Sequence, residues 1–473
     1  MRHNAVGLEN AREGTPEWRL SRPYPRLHGG VRSSPIEGYA LQASVAAGEE
    51  LMLCVSADPG ADVLVELFRS GWYGGLGGRK VAEWGPLACA PQPTPPIGTE
   101  RLRACAWEPS LTVRVPPEWV SGVYLAKLTE QRSGYQSYAT FIVRDERECE
   151  LIFGCADLTW QAYNHWPDLF SLYNDGYRAW WNGRGVAVSR RRPYGKYPQQ
   201  VDAPASVGSG EWLLWELPMA YWLERAGHDV SYQSGLDLHR APERLRRANG
   251  YLSVGHDEYY TLDMFEGLRA AVADGLNAGF FCGNGLYGVI EFLDDELTAF
   301  HRVDAFGRRP SWLQGEIRDF PWRSPDANEL MGAGLAEPVV GIADWTCVAA
   351  EHWAFAGSGM RGGDAIEGLV GWEFHGDPAR RPGLEVLATG TTEYVEHGEL
   401  LTGRYTATAY EGEHGNTVFN AATCWWGDGL AAPPGQVRPG PRAGSASPDP
   451  RVEAITANVV ERLRVRRWSD AGV

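Results

Sequence analysis

Residues 251–285 decide the fold of this chain, and they read YLSVGHDEYYTLDMFEGLRAAVADGLNAGFFCGNG. Residues 251–254 and 278–282 are short apolar runs typical of buried strands, and residues 262–276 have the apolar spacing of an amphipathic helix. A strand, a helix and a second strand in this order indicate a unit whose two strands are parallel. Further strand-like runs lie at residues 150–154, 229–232, 385–388 and 417–420. We therefore predict a doubly wound, largely parallel α/β sheet of glutamine-amidotransferase-like type.

The part of the chain before this sheet has a different pattern. From about residue 36 to residue 145, short β-type runs alternate with turns rich in Gly, Pro and Asp, which is typical of a β-sandwich. A chain of 473 residues is also long enough for two or three domains. The predicted fold class is therefore α/β plus all-β, with an N-terminal extension over residues 1–35, a β-sandwich domain over residues 36–146 and an α/β catalytic domain over residues 147–473.

Within the α/β domain, two segments lack periodicity and are predicted as long loops, at residues 183–210 and 427–450. The first has the length of a lid, and a solvated excursion is the alternative. Residues 211–225 are apolar almost all round, as in a buried helix that Pro218 starts or kinks. A closing helix is predicted over residues 452–463.

The charge balance restricts the class of partner. The chain has 44 Lys and Arg against 60 Asp and Glu, which gives a net charge of −16. This charge disfavours nucleic acid and anionic membranes, so a small neutral or cationic substrate is expected. The N-terminus lacks the apolar segment of a signal peptide, and no later apolar run is long enough for a membrane helix, so a cytoplasmic protein is expected.

The eight cysteines are scattered, and no C-x-x-C pair occurs among them. This spacing argues against a zinc ribbon or a thioredoxin-like motif, and most of these residues are expected in the core. A disulfide between Cys89 and Cys105 is a minor alternative. Cys282 is a candidate nucleophile, but a nucleophile elbow needs glycines where Phe280 and Asn284 stand.

Four polar side chains of the α/β domain are the candidate site. Tyr163 and Tyr173 lie in an irregular segment after the first predicted strand, whereas Glu258 and Asn284 each follow one of the two strands of the opening stretch. Ligands of open α/β sheets bind beyond the carboxyl ends of the strands. If these strands are neighbours, the four side chains share one crevice.

The residue types of this cluster favour a hard metal ion. Phenolate and carboxylate oxygens select Fe(III), Mn or Mg over zinc or copper, and a phenol loses its proton only to a strong Lewis acid such as ferric iron. His256 lies two residues before Glu258 and would face the same side of an extended segment, as a base or a substrate donor. From the residues alone, packed tyrosines, a buried satisfied histidine and a turn asparagine at position 284 remain alternatives.

Ordered motifs along most of the chain resemble one known family. They lie at residues 71–75, 121–128, 159–164, 171–174, 256–259, 283–285 and 418–421. In these motifs, from about residue 36 to the C-terminus, the chain resembles the large subunit of N,N-dimethylformamidase and related proteins.

The resemblance implies a mononuclear iron amidohydrolase whose metal is held by Tyr163, Tyr173 and Glu258. It also places His256 and Asn284 at active-site positions. The family enzyme works with a small second subunit, of which no fused equivalent is seen here, and a homo-oligomer is a further partner to consider. One motif departs from the family, which reads His-Pro-Glu-Tyr-His where residues 256–260 read HDEYY. This departure predicts a changed substrate pocket.

The function predicted from the sequence is iron-dependent hydrolysis of a C–N bond in a small amide- or formamide-like substrate, with Fe3+ or Fe2+ at the site. Metal-activated water would attack the carbonyl, His256 would move a proton to the leaving amine, and Asn284 would steady the carbonyl oxygen. The alternatives are an iron-dependent redox or lyase enzyme acting on a biosynthetic small molecule, a Cys or Ser hydrolase, and a non-catalytic binding protein.

Overall fold

The computed structural model describes residues 4–25, 31–174, 186–196, 203–307, 325–438 and 447–468. It is of mixed α/β class with several separate sheets, which confirms the mixed α/β content predicted from the sequence. The elements of its first part are α1 (Ala5–Asn10), β1 (Glu37–Ala40), β2 (Ser44–Val45), β3 (Glu50–Ser56), β4 (Ala61–Ser70), β5 (Gly78–Cys89), β6 (Leu111–Arg114), β7 (Gly122–Glu130) and β8 (Gln136–Val143).

These strands form two sheets that share one core. β1, β3 and β6 form an antiparallel three-stranded sheet, and the five-stranded sheet has the order β2-β8-β7-β4-β5. Successive side chains of a strand point to opposite faces of its sheet. Tyr124, Ala126 and Leu128 of β7 therefore join the core shared with the three-stranded sheet, whereas Val123 and Leu125 pack against the second part of the chain.

The second part of the chain alternates strands and helices before it becomes rich in hairpins. Its elements are β9 (Leu151–Cys155), α2 (Asp157–Tyr163), β10 (Ala187–Ser189), α3 (Leu217–Arg225), β11 (Val230–Ser234), α4 (Gly235–Arg240), β12 (Gly250–Gly255), β13 (Tyr259–Tyr260), α5 (Leu262–Ala273), β14 (Asn277–Cys282), β15 (Gly288–Phe292), β16 (Ala299–Ala305), α6 (Ala327–Met331), β17 (Ala333–Val340), β18 (Ala343–Thr346), β19 (Ala365–Val370), β20 (Glu373–Pro378), β21 (Glu385–Glu396), β22 (Glu399–Glu411), β23 (Thr417–Asn420), α7 (Trp426–Leu430) and α8 (Pro450–Leu463).

A seven-stranded sheet organises this part, in the order β11-β9-β12-β14-β23-β22-β21. The first five strands of that order are parallel, and β22 and β21 continue the sheet antiparallel. Leu151 and Phe153 of β9 join the core that α3 and α8 cover, whereas Ile152 joins the core that α5 covers. Because β12 pairs with both β9 and β14, the carboxyl ends of these three strands lie side by side.

Most predicted elements of this sheet are confirmed to within one or two residues. The run predicted at residues 385–388 is only the beginning of β21, which continues as one side of a long hairpin with β22. The helix predicted over residues 211–225 is divided into a π-helix, Trp212–Glu216, and α3. Pro218 lies in the first turn of α3, where its missing N–H costs no helical hydrogen bond.

The two predicted loops contain regular structure and need correction. β10 lies within the loop predicted over residues 183–210 and pairs with β16, which satisfies its backbone groups without any apolar periodicity. α7 occupies the start of the loop predicted over residues 427–450, and its apolar residues are buried in the core. Within the two predicted loops, residues 183–185, 197–202 and 439–446 lie outside the described residues.

Two further expectations concern the cysteines and the membrane. All eight cysteines are buried, unpaired thiols, so the alternative disulfide between Cys89 and Cys105 is wrong. In the part of the chain that the structure describes, no helix is both long and apolar enough to cross a membrane.

A fully buried ion pair joins the two parts of the chain. Arg69 of β4 donates to both carboxylate oxygens of Glu224 in α3, at 3.0 and 2.8 Å. Glu224 also accepts hydrogen bonds from Tyr232 of β11 and from Asn10 of α1. Glu224 and Arg69 therefore neutralise each other where water is excluded. Loss of either side chain would leave the other as an unpaired buried charge.

We predict that Arg69→Ala destabilises the protein by about 3–5 kcal/mol, because it leaves Glu224 as an unpaired buried charge. Thermal and urea unfolding followed by circular dichroism would measure the change. Arg225→Ala is the matched control, since the Arg225–Glu453 pair is well exposed and should contribute less than about 1 kcal/mol. Equal effects of the two variants would contradict this role of the buried pair.

Candidate metal centre

The candidate site lies where β9, β12 and β14 end. Glu258 comes three residues after β12, Asn284 comes two residues after β14, and α2 begins two residues after β9. Gly255 permits the turn that follows β12, because its φ is 70°. A Cβ atom at this position would also lie only 2.4 Å from the Cβ atom of Trp215. The sequence thus directs the residues after β12 into the crevice beyond the sheet.

The two tyrosines reach the site from different local structures. Tyr163 is the last residue of α2, so its prediction as part of an irregular segment is wrong. Tyr173 follows a turn in which its own backbone N–H donates to Ser171, and the N–H of Leu172 donates to the carbonyl of Ala162 at 2.8 Å. The second contact fastens the Tyr173 segment to the end of α2.

Arg192 also holds the segment that joins Tyr163 to Tyr173. Its buried guanidinium donates to the backbone carbonyls of Gln161, Trp166 and Phe170 at 2.7–2.9 Å. Burial without a carboxylate partner lowers the pKa of Arg192 to about 9. The side chain therefore acts as a hydrogen-bonding clamp that holds both ends of the chain between Tyr163 and Tyr173.

The two phenols and Glu258 form one compact group of oxygen atoms. The hydroxyl of Tyr163 donates to Glu258 Oε2 at 2.5 Å, and the hydroxyl of Tyr173 lies 3.2 Å from Glu258 Oε1. The two hydroxyls are 3.3 Å apart, and the two rings stack with centroids 5.0 Å apart. All three side chains are buried. The structure thus brings together the three side chains that the sequence predicts as metal ligands.

The electrostatics of this group keep the two phenols protonated unless a cation is bound. Burial, and next the charge of Glu258, raise the pKa of both Tyr163 and Tyr173 above the usual value for a phenol. Arg302, whose guanidinium lies 5.1 Å from the centroid of the Tyr173 ring, offsets this only in part. A bound metal ion reverses such shifts because it favours the anionic form of each ligand. Two phenols and a carboxylate in mutual contact fit a hard, highly charged ion such as iron.

A second group of charges adjoins the first. His256 Nε2 lies 2.5 Å from Glu373 Oε2 and 3.3 Å from Glu258 Oε2. Burial alone would lower the pKa of His256, but the charges and hydrogen bonds of Glu373 and Glu258 outweigh it and raise that pKa. The donor atoms of these three residues lie within 4.8 Å of one another, which is also compatible with metal binding. The structure therefore offers two overlapping donor sets that share Glu258.

Glu373 was missed by the sequence reasoning. It is the first residue of β20, far along the chain from the other site residues. Its only signal was a carboxylate between two aromatic residues, Trp372 and Phe374. Such a residue is costly to bury unless it is paired, so this pattern alone could have identified it as a candidate.

The sequence leaves two alternatives for Asn284, a turn residue and a polar group of the site, and the structure shows both features. Its φ is 50°, in the left-handed region, and its Nδ2 donates to Glu373 Oε2 at 3.1 Å. Its Oδ1 has no hydrogen-bond partner among the described residues. One N–H of Nδ2 is used by Glu373, so Asn284 as placed orients that carboxylate and leaves its Oδ1 as an acceptor and its second amide hydrogen as a donor.

A histidine from β20 holds the turn around Asn284. The N–H of Gly285 donates to His375 Nε2 at 2.8 Å, and His375 Nδ1 is bonded to Asn420 Oδ1. Burial lowers the pKa of His375 to about 4, so this ring is neutral and can accept the Gly285 bond. A Cβ atom at Gly283 would lie 2.1 Å from the carbonyl oxygen of Glu373, which explains the glycine before Asn284.

Asp257 and Tyr260, where the sequence predicts a changed substrate pocket, bond to each other. Tyr260 donates to Asp257 Oδ2 at 2.6 Å, and its hydroxyl is 3.2 Å from that of Tyr251 in β12. Burial raises the pKa of Asp257 to about 6, with Tyr260 and Ser253 acting against it. Through Tyr251, these contacts tie Tyr260 and Asp257 to β12 of the sheet.

Cys282 is poorly suited to act as a nucleophile. Its thiol is fully buried and accepts a hydrogen bond from Ser253 at 3.4 Å. Burial raises the pKa of this thiol well above its usual value, so the reactive thiolate is disfavoured.

The fold and the site together define an α/β protein with a buried cluster of hard oxygen donors at the carboxyl edge of its sheet. Comparison with known families gives the same assignment as the sequence motifs. The profile of the family described as N,N-dimethylformamidase beta subunit-like, C-terminal matches residues 64–439. The chain belongs to this family, which confirms the recognition made from the motifs. No curated protein matches the chain.

We predict that Arg192→Lys loosens the segment between Tyr163 and Tyr173, because an ammonium group cannot reach all the carbonyls that the guanidinium contacts. Loss of one hydrogen bond from a charged donor costs about 1.5–3 kcal/mol. Amide hydrogen exchange in residues 164–174 should therefore accelerate about tenfold or more, as read by mass spectrometry. Arg191→Lys changes the neighbouring exposed side chain and should leave exchange unaltered. Unchanged exchange in Arg192→Lys would contradict the clamp.

Proposed function

We propose that this protein is an iron-dependent hydrolase that cleaves the C–N bond of a small amide- or formamide-like substrate. Membership of the N,N-dimethylformamidase beta subunit-like family supports an amide hydrolase. The observation that carries the metal assignment is the buried contact of Tyr163 and Tyr173 with Glu258. The α/β part, residues 147–473, would carry the chemistry, with residues 36–146 as a supporting β-sandwich.

Tyr163, Tyr173 and Glu258 are the residues that would hold the iron. When bound there, iron supplies a Lewis acid for the substrate carbonyl and for a water molecule. The stacking of the two phenol rings and the clamp of Arg192 fix the donor atoms before any ligand arrives. Such fixed donors need little reorganisation, which favours both metal affinity and the geometry of attack.

His256 and Glu373 are suited to the proton transfers of the reaction. In this proposal Glu373 takes the proton that the attacking water loses, and His256 gives its proton to the leaving nitrogen. Transfer from Glu373 to His256 across their 2.5 Å contact then restores the starting state. A pair of adjacent groups with opposite roles is the usual requirement of general acid–base catalysis.

Asn284 would act as a positioning residue in this scheme. Its Nδ2 holds Glu373 Oε2, the same oxygen that contacts His256. Its free Oδ1 can accept a hydrogen bond from an N–H group of the substrate. This role differs from the one expected from the sequence, in which Asn284 steadies the carbonyl oxygen.

The proposal is tested by separating metal binding from turnover in single variants. Glu258→Gln should lose both bound iron and hydrolysis of formamide substrates, because it removes the charge that both phenols contact. His256→Asn and Glu373→Gln should retain stoichiometric iron but lose turnover by about 10²–10⁴-fold, the usual contribution of general acid–base groups. Elemental analysis and ammonia or amine release give the two readouts.

Glu399→Gln serves as the control, since Glu399 is exposed in the hairpin between β21 and β22. It should match the unaltered protein in both iron content and turnover. Stoichiometric iron in Glu258→Gln would overturn the ligand assignment. Full turnover in both His256→Asn and Glu373→Gln would overturn the acid–base assignment.

A further inference from the structure

Glu211 is a carboxylate beside the site that is only 2% exposed. Among the described residues, the Trp215 indole is the only hydrogen-bond donor that acts on it, at a geometry short of a well-formed hydrogen bond. No arginine or lysine of the described ranges acts on its charge, and the nearby charge of His256 is already engaged by Glu373 and Glu258. A buried carboxylate with so little to balance it is unfavourable, which indicates a ligand.

Other buried acids of the same region are fully bonded. Glu216, five residues later, accepts hydrogen bonds from the backbone N–H of Ala156 and from the Trp160 indole at 3.0 and 2.6 Å. Glu224 is paired with Arg69. Glu216 and Glu224 therefore have hydrogen-bond or ion-pair partners for their carboxylates, and Glu211 differs from both.

Glu211 lies next to the proposed acid–base pair. Its backbone carbonyl accepts from the N–H groups of Leu214 and Trp215, so it begins the π-helix before α3. The Trp215 ring in turn packs against the His256 ring with centroids 6.3 Å apart. Burial raises the pKa of Glu211 to about 8; the nearby charge of His256 and the Trp215 indole oppose this only in part, while Glu373 and Glu258 add to it.

An aromatic wall adjoins this carboxylate. Trp215 clusters with Leu214, Cys424 and Trp425, and the partly buried Trp372 packs against the same cluster. The cluster reaches the reacting centre, because the Cys424 thiol contacts the carbonyl of Gly283 at 3.5 Å, one residue before Asn284. The Trp215 indole also faces Glu211 as a hydrogen-bond donor, whereas the indole N–H of Trp372 has no hydrogen-bond partner among the described residues.

We propose that Glu211 binds a positively charged nitrogen of the substrate, and that the substrates are amides or formamides with a cationic alkylamine group. The alkyl part would pack on the tryptophan wall while the ammonium group pairs with Glu211. This inference rests on the proposed function for the position of the reacting amide. It agrees with the net charge of −16, which favours cationic ligands.

The neighbours of Glu211 favour an organic cation over a second metal ion. A hard metal ion requires several oxygen ligands, whereas Glu211 adjoins the Trp215 indole, which belongs to an apolar cluster with Leu214 and Trp425. An alkylammonium ion needs one carboxylate and an apolar surface, and both are present. Its charge would also return Glu211 to the ionised form.

Calorimetric titration with n-butylammonium, compared with the neutral n-butanol, tests the inference without turnover. We expect the unaltered protein to bind n-butylammonium, n-butanol to bind at least tenfold more weakly, and Glu211→Gln to lose at least tenfold of the ammonium affinity. Glu351→Gln, at an exposed acid, is the matched control and should bind normally. Far-ultraviolet circular dichroism would verify that each variant is folded.

Equal binding of n-butylammonium to Glu211→Gln and to the unaltered protein, or no binding to the latter, would overturn the inference. A second measurement compares kcat/KM for N-(4-aminobutyl)formamide and N-butylformamide, where we expect at least a tenfold preference for the cationic substrate. Ammonium binding without any amide hydrolysis would refute the proposed function alone. Hydrolysis without such a preference or binding would refute the role of Glu211 alone.

Discussion

The contact of Tyr163 and Tyr173 with Glu258 is the constraint on which the rest of this structure depends. Three buried groups that become anionic as metal ligands, two phenols and one carboxylate, contact one another at 2.5–3.3 Å. Two unit charges at that distance repel by about 5 kcal/mol even at an effective dielectric constant of 20. The group is therefore stable either with protonated phenols or around a cation, and the surrounding protein must hold it against relaxation in both states.

The fold holds the two phenols and Glu258 in place through the order of its strands, through Arg192 and through two glycines that no other residue could replace without a steric clash. β12 lies between β9 and β14, so the segments that carry Tyr163, Glu258 and Asn284 leave the sheet at one edge. Arg192 closes the segment between the two tyrosines. Gly255 and Gly283 allow Trp215 and Glu373 to approach the turns after β12 and β14 more closely than any side chain would permit.

The sequence predicted those parts of the site that follow strand ends in chain order. Parallel-sheet geometry raised the expectation that Tyr163, Tyr173, Glu258 and Asn284 share one crevice, and the family resemblance supplied the metal-ligand and active-site roles. Glu373 and Glu211 could not be placed in this way, because β20 and the π-helix approach the site through tertiary packing that has no local periodic signal. The helical position of Tyr163 and the strand within residues 183–210 were missed for the same reason: tertiary contacts, not local pattern, stabilise those short elements.

The overlap of two donor sets at Glu258 makes the position of the metal the decisive question. Anomalous diffraction at the iron edge, from crystals of iron-loaded protein, would locate the ion directly. The account predicts a single strong peak bounded by the phenol oxygens of Tyr163 and Tyr173 and the carboxylate of Glu258, with His256 and Glu373 outside its ligand sphere. A peak bounded by His256, Glu258 and Glu373, or no peak in the cluster, would contradict it.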